Sequence, residues 1–344
     1  ASGMQFENCN AQPICTPSRV KLMTGRSNKK NHVRFGYLQL KEKTFSQVLK
    51  KEGYATMVAG KWQLNGAEEK LDGYQDLSRP NHFGFDEFIL WQLSTSGRDS
   101  TGLDKRYVNP RININGEVYE DNKGKYSTDM MVDYINDFME RKKNQPFLVY
   151  YPMILTHCPF DPTPHSDDWD PTDMGSKSYK GNAKYFGDMV SYMDFSIGRI
   201  VKKLDQLGLR ENTIILFTGD NGTDTPVVSM MDNTPVVGGK GSTTDNGTHV
   251  PLIVNWKGVI QSNSKSEAMI DLSDFFPTLC DLVGIKQDSS FDLDGVSFYP
   301  QLIGKEGPTR KWIHSWYNRD GGSNPLSTTS EWVCLLYTSD AADE

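Results

Sequence analysis

The chain is short of cysteine, of net positive charge and of long apolar runs. Its 344 residues hold five cysteines (Cys9, Cys15, Cys158, Cys280 and Cys334), odd in number and irregularly spaced. That pattern makes neither a disulfide framework nor a zinc ribbon, and it does not report a compartment. The 37 Lys and Arg residues are outnumbered by 44 Asp and Glu, for a formal net charge of −7. Nonspecific nucleic-acid binding needs a basic face, so no nucleic-acid partner is expected. No apolar run approaches the ~18 residues of a membrane helix, so no membrane span is expected. No short repeat occurs, and 15 Tyr and 7 Trp are present, which excludes collagen-like, coiled-coil and disordered chains. What is left is a globular chain, long enough for one large α/β domain or two smaller ones.

Both ends read as cut. The chain begins at Ala1 with neither Met nor a signal segment, so the lack of a targeting sequence says nothing about export. Residues Cys334 to Glu344 (CLLYTSDAADE) fit nothing before them. They resemble a sequencing-library adapter read in one frame and are set aside as a non-native tail. The expectation is a gene fragment.

Short β-rich apolar runs bounded by Gly, Pro and Asn predict strands at Ala55–Ala59, Phe147–Tyr151, Thr213–Thr218 and Pro251–Trp256. Helical spacing predicts helices over Ser46–Glu52, Ser127–Lys142, Lys184–Leu207 and Asp274–Val283. Gly208 and Gly284 stand where two of these should stop. Strands alternating with helices of this length imply an α/β fold with a mostly parallel central sheet and helices on both faces. Such sheets bind ligands beyond the carboxyl ends of their strands. Lys61, His157 and the pair Asp220-Asn221 fall there. The stretches Asp99–Lys125 and Pro159–Asn182 read as loops and hairpins at the rim.

Residues 15–26 read CTPSRVKLMTGR. Pro17 suits a first helical turn and Gly25 a helix stop. Cys15 would then stand at a helix N-terminus, where unpaired N–H groups favour an anion or a thiolate. Arg19, one turn on, can offer the same anion a fork of donors. A cysteine-dependent phosphatase loop wants Cys and Arg six apart, whereas here they are four apart. The other chemistry open to Cys15 is to be the substrate of a modification.

The segment resembles the main motif of the sulfatase family, Cys-x-Pro-Ser-Arg followed by Leu-Met-Thr-Gly-Arg. Further matches follow in the family's order: Gly60-Lys61-Trp62, Thr156-His157-Cys158-Pro159-Phe160, Thr218-Gly219-Asp220-Asn221-Gly222, Gly238-Gly239-Lys240-Gly241 with His249-Val250-Pro251, Asp274-Phe275-Phe276-Pro277-Thr278-Leu279 and Asp294-Gly295-Val296-Ser297. The resemblance implies an alkaline-phosphatase-like fold, with a catalytic domain over 1–303, the start of a C-terminal region over 304–333 and most of that smaller domain missing. It also implies that a formylglycine-generating enzyme oxidises Cys15 to formylglycine. The hydrated aldehyde would attack a sulfate ester through one hydroxyl and form a covalent sulfated intermediate. Its other hydroxyl would then lose a proton, so that sulfate is eliminated. Arg19, Lys61 and Lys240 would hold the sulfuryl charge, and His157 would serve the leaving oxygen. Lys61, Gln63, His157 and Lys240 would bind substrate, a sulfated small molecule or glycan. Asp220, Asn221 and the side chain derived from Cys15 would hold a hard cation, Ca2+ rather than Mg2+. The family's usual placement is periplasmic or secreted. Alternatives are a phosphonate or phosphodiester hydrolase of the same superfamily and an inactive pseudo-enzyme that binds sulfated glycans. His32, His82, His165, His249 and His314 read as structural or exposed.

Two departures from the family pattern stand out. Only fourteen residues precede Cys15, and Glu7 is their sole carboxylate. The opening strand with its two acidic metal ligands is therefore expected to be absent, and calcium binding weak. The family usually has His two residues after the motif lysine, where this chain has Gln63. Glutamine donates and accepts hydrogen bonds but takes no proton near neutral pH, so sulfate release should be slower here, or its base should have moved. Gln63→His is accordingly expected to raise turnover and to shift the pH–rate profile of the active enzyme, and unchanged steady-state kinetics would count against this reading.

Overall fold

A computed structural model describes residues 3–95, 98–287, 289–319, 321 and 329–335. The strands, in chain order, begin with β1 (Met4–Asn10), β2 (Ala55–Lys61), β3 (Glu87–Trp91), β4 (Ile112–Ile114), β5 (Glu117–Tyr119) and β6 (Phe147–Tyr150). They continue with β7 (Ile214–Thr218), β8 (Val228–Met231), β9 (Thr234–Val237), β10 (Leu252–Trp256), β11 (Ser264–Asp271), β12 (Trp312–Tyr317) and β13 (Ser330–Leu335). The longer helices are α1 (Cys15–Thr24), α2 (Ser127–Lys142), α3 (Phe186–Gln206) and α4 (Phe275–Leu282). The chain divides into two compact units, Ala1–Phe45 with Glu211–Glu344, and Ser46–Arg210.

The first unit is built on a four-stranded sheet in the order β11-β1-β10-β7. β1 runs parallel to β11 and antiparallel to β10, and β10 runs antiparallel to β7. Phe6 and Cys9 of β1, with Leu252 and Val254 of β10, are buried. Phe298 packs edge-on against both Phe6 and Phe275. Helix α1 is buried along its whole length, so its charged residues need partners. Lys21 finds one in Asp271, Nζ to Oδ2 at 2.5 Å, with both side chains almost wholly buried. Ser273 donates to the other oxygen of Asp271 from both its backbone N–H (2.9 Å) and its hydroxyl (2.6 Å). Burial alone would raise the Asp271 carboxyl, but Lys21 and Arg310 outweigh it and hold it below the usual range. The neighbouring Asp274 takes both oxygens of its carboxylate to Arg310.

An antiparallel hairpin of β8 and β9 stands out from this unit. Asp232 and Asn233 at its tip both have positive φ, 47° and 66°, as a two-residue hairpin turn of matching twist requires. Its base is tied by Gly238 N–H to the Val227 carbonyl (2.9 Å) and by Lys240 N–H to the Thr223 carbonyl (2.9 Å). Val228, Met230 and Met231 on it are each more than half exposed.

The second unit has a five-stranded sheet in the order β5-β4-β3-β2-β6. β2 is flanked by parallel β3 and β6, and β4 and β5 extend the sheet as antiparallel strands. β2 is buried at all seven residues, which is why it reads as a continuous apolar run. Helix α2 buries Met131, Val132, Ile135, Phe138 and Met139. Its neighbour α3 is joined to it by Arg199, which meets Asp129 and Asp133.

The α/β class stands, but the sheets are mixed rather than mostly parallel. Among the described residues the parallel strand pairs are β1–β11, β2–β3 and β2–β6. β4 and β5 are joined by a tight turn, and tight connections favour antiparallel neighbours. β1 and β11 were unforeseen because polar residues interrupt them (MQFENCN, SKSEAMID). β13 runs antiparallel to β12 and includes Cys334 and Leu335, the first two residues of the segment set aside as a tail. Residues 336–344 lie outside the described residues.

Lys21→Met would leave the buried Asp271 without its cation, and breaking a buried pair on one side is expected to cost about 3 kcal/mol. Urea unfolding should show that loss, and Lys21→Met with Asp271→Leu should recover most of it. Because the Asp271 carboxyl is lowered in the fold, its contribution is present above the unfolded value of 3.8 and fades as pH falls below it.

Candidate active site

In the first unit, β1 leads into α1 through Ile14, which is extended (φ −138°, ψ 161°). Cys15 opens the helix and Gly25 ends it in the left-handed region (φ 66°), with its N–H on the Lys21 carbonyl. Cys15 is 3% exposed, and Arg19 on the next turn is equally buried. Ser18 sets the approach to Cys15: its Oγ accepts from Gln12 N–H at 2.9 Å and donates to the Ile14 carbonyl at 3.1 Å. Sequence reasoning gave Ser18 no separate role, although it sits inside the CTPSR motif.

The loop after β7 brings Asp220 to Arg19, Oδ2 to Nε at 3.9 Å. Asn221 donates from Nδ2 to the Gly222 carbonyl at 2.8 Å. Its Oδ1 is buried and, among the described residues, accepts no hydrogen bond. A buried, unused amide oxygen beside a carboxylate is a donor set for a hard cation. Asp220 and Asn221 thus fit the calcium that the family resemblance implies, as two of the roughly six to eight oxygens it takes. Among the described residues no group of three or more His, Cys, Asp and Glu could hold a metal.

The loop carrying Lys240 is fastened against the entry to α1, with Gly241 N–H on the Pro13 carbonyl at 2.8 Å. It also packs on Gly222 and Gly247. A Cβ on Gly222 would stand 1.9 Å from the Asn246 carbonyl oxygen, and one on Gly247 would stand 2.0 Å from that of Ser242. The glycines of this region are therefore required by close backbone approach. The unit so gathers Cys15, Arg19, Asp220, Asn221 and the Lys240 loop from three separate parts of the sequence.

In the second unit, Lys61 is the last residue of β2 and is buried. Gln63 follows with φ 44°. His157 was expected at a strand end, but β6 stops at Tyr150 and His157 lies in the following loop. Arg106, 4% exposed, holds it there. Arg106 Nη1 lies 2.6 Å from His157 Nδ1 and donates to the Cys158 carbonyl, which is itself 2.6 Å from Nδ1. A guanidinium only donates and a carbonyl only accepts, so Nδ1 stands between a donor and an acceptor, and these contacts position the ring without fixing its tautomer. Asp104 grips the guanidinium from the other side (2.9 and 2.6 Å), and Trp91 stacks 4.6 Å from it. Burial works against the Arg106 charge, but Asp104 outweighs it and raises its pKa. Tyr107 donates from its hydroxyl to the His157 carbonyl. Neither Arg106 nor Tyr107 lies in a recognised motif, and only their packing reveals them.

Cys9 and Cys280 are buried core thiols. Burial pushes Cys9 well up and Cys280 up to about 12, so neither is a nucleophile near neutral pH.

The sulfatase family model matches residues 1–285. The chain belongs to the sulfatase family. Mouse N-acetylgalactosamine-6-sulfatase is 28% identical over 88% of this chain and 60% of its own length. The Escherichia coli uncharacterized sulfatase YdeN is 30% identical over 92% of this chain and 59% of its own. This sulfatase chain therefore spans about three fifths of the length of these curated relatives. In fold it resembles a solved structure of Ps i-CgsB in complex with k-i-k-neocarrahexaose, with a TM-score of 0.75 at 22% identity over 97% of this chain and 74% of that one.

One acid near His157 titrates out of range. Burial, then the nearby Asp173 and Asp104, raise the Asp161 carboxyl to about 6. The fold therefore binds a proton that the unfolded chain has already lost, and stability should fall as pH rises from about 4 to 6 and then level off. Asp161→Asn is expected to flatten that part of the thermal-midpoint profile.

Proposed function

We propose that this chain is the catalytic part of a sulfuric ester hydrolase in which residue 15, matured to formylglycine, is the nucleophile. The reading rests above all on one observation. The Cys-x-Pro-Ser-Arg segment opens a fully buried helix, and the Asp220-Asn221 and Lys240 loops are tied beside its entry.

Formylglycine in its hydrated form supplies a hydroxyl that can attack sulfur and a second hydroxyl through which sulfate can be expelled. The chain's own residues prepare for that charge. Arg19 brings a fixed cation to the first turn of α1, where helix N–H groups already favour an anion. Asp220, Asn221 Oδ1 and the residue-15 side chain would hold Ca2+, which supplies a further positive charge against the sulfuryl oxygens. Lys240 and Lys61 take the remaining sulfuryl contacts. His157, positioned by Arg106, serves the leaving oxygen as proton donor. The substrate is a sulfated small molecule or glycan, and the maturing partner is a formylglycine-generating enzyme.

Co-expression with that enzyme should lower the intact mass of the chain by the difference between a lost H2S and a gained oxygen, at the peptide that contains Cys15. Cys15→Ser should cut sulfate release by about 10³-fold or more, because a serine ester has no elimination route. An unmodified thiol alongside full activity would overturn the proposal.

A further inference from the structure

A second polar cluster in the Ser46–Arg210 unit lies outside the family motifs except for Gln63. The β2–β3 ladder continues past both strands: Trp62 N–H bonds the Trp91 carbonyl and Gln63 N–H bonds the Gln92 carbonyl, each at 3.0 Å. At that point both chains turn into the left-handed region, Gln63 at φ 44° and Gln92 at φ 56°. Non-glycine residues rarely sit there, and such strain gathers at binding and catalytic sites. Both side chains then converge on one carboxylate oxygen. Gln63 Nε2 donates to Glu68 Oε1 at 2.8 Å, and Gln92 Nε2 donates to the same atom at 3.0 Å.

This arrangement leaves acceptors over. Gln92 is 6% exposed, and among the described residues its Oε1 has no hydrogen-bond partner. Its amide head is held on Glu68 through Nε2, so that oxygen lies one carbon away from the shared contact. Because the two amides share Oε1, the other oxygen of Glu68 remains for a donor from outside, and Glu68 itself is exposed. The loop that carries Glu68 is braced by Asn65, which accepts from Trp62 Nε1 at 2.6 Å and donates to the Tyr74 and Asp76 carbonyls. The cluster lies at the carboxyl ends of two parallel strands, where open α/β sheets bind ligands. It begins two residues beyond Lys61, within about 7 Å along the chain.

We propose that Gln63, Glu68 and Gln92 form a hydroxyl-binding subsite, and that the substrate is a sulfated carbohydrate whose unsulfated ring hydroxyls dock there. The Glu68 carboxylate repels the sulfuryl group, so the subsite takes the neutral part of the molecule. An exposed carboxylate oxygen beside an amide oxygen suits adjacent hydroxyl donors. An aryl or steroid sulfate brings no such donors. A site built to bond hydroxyls discriminates against a ligand that lacks them.

The inference rests on the sulfate-ester reading above, and the test separates the two. Binding of galactose 6-sulfate, galactose 4-sulfate, glucosamine 6-sulfate and 4-nitrophenyl sulfate to the whole chain would be measured by calorimetry. The same titrations would be run with Glu68→Ala and Gln92→Leu, with thermal melts as the folding control. At least one sugar sulfate should bind more tightly than the aryl ester. Each variant should weaken that sugar by about fivefold to tenfold, the worth of one or two hydrogen bonds, while aryl affinity moves less than twofold. Glu68 is exposed, so its variant should keep the wild-type melt even if Gln92→Leu does not. Equal losses on sugar and aryl esters, or no loss on either, would overturn the subsite and leave the sulfate-ester reading standing. Failure of every sulfate ester to bind would overturn that reading and the subsite with it.

Discussion

The contact between Lys21 and Asp271 is the constraint on which the first unit depends. A helix buried on all sides cannot carry an unpaired ammonium. The 2.5 Å pair therefore fixes the roll of α1 about its own axis and its position against the end of β11. Once α1 is fixed, Cys15 and Arg19, at its first and second turns, have no freedom left to wander. The cost of burying two charges is repaid in placement more than in stability, which is the use best attested for buried ion pairs. Asp274 and Arg310 repeat the device one turn away.

The second unit solves a similar problem with different parts. His157 sits in a loop, where side chains normally sample several orientations. Arg106 removes that freedom because Asp104 and Trp91 have already removed its own. The chain of restraint runs from carboxylate to guanidinium to imidazole. It ends in a fixed ring position, which no single residue in the chain supplies alone.

Much of this was readable in the sequence wherever one residue's chemistry forces a local shape. The helix over 127–142 was legible to the residue because its apolar stripe has one period and one face. β2, β6, β7 and β10 were legible because their apolar runs end in Gly or Pro. β1 and β11 were not, since polar residues interrupt both and their partners lie far away in sequence, so that only pairing makes them strands. The candidate site followed the same rule. Cys15, Arg19, Asp220, Asn221, Lys61, His157 and Lys240 stand in motifs with short-range spacing. Arg106, Glu68 and Gln92 act through contacts across 24 to 52 residues, and no local pattern announces such contacts.

The β8–β9 hairpin hangs from a base whose two ends are both tied into the Lys240 region. Strain applied at its tip has no rigid path to those ties, because the turn and both strands stand clear of the core. Its length and its two exposed methionines can therefore drift over generations without disturbing the loop below.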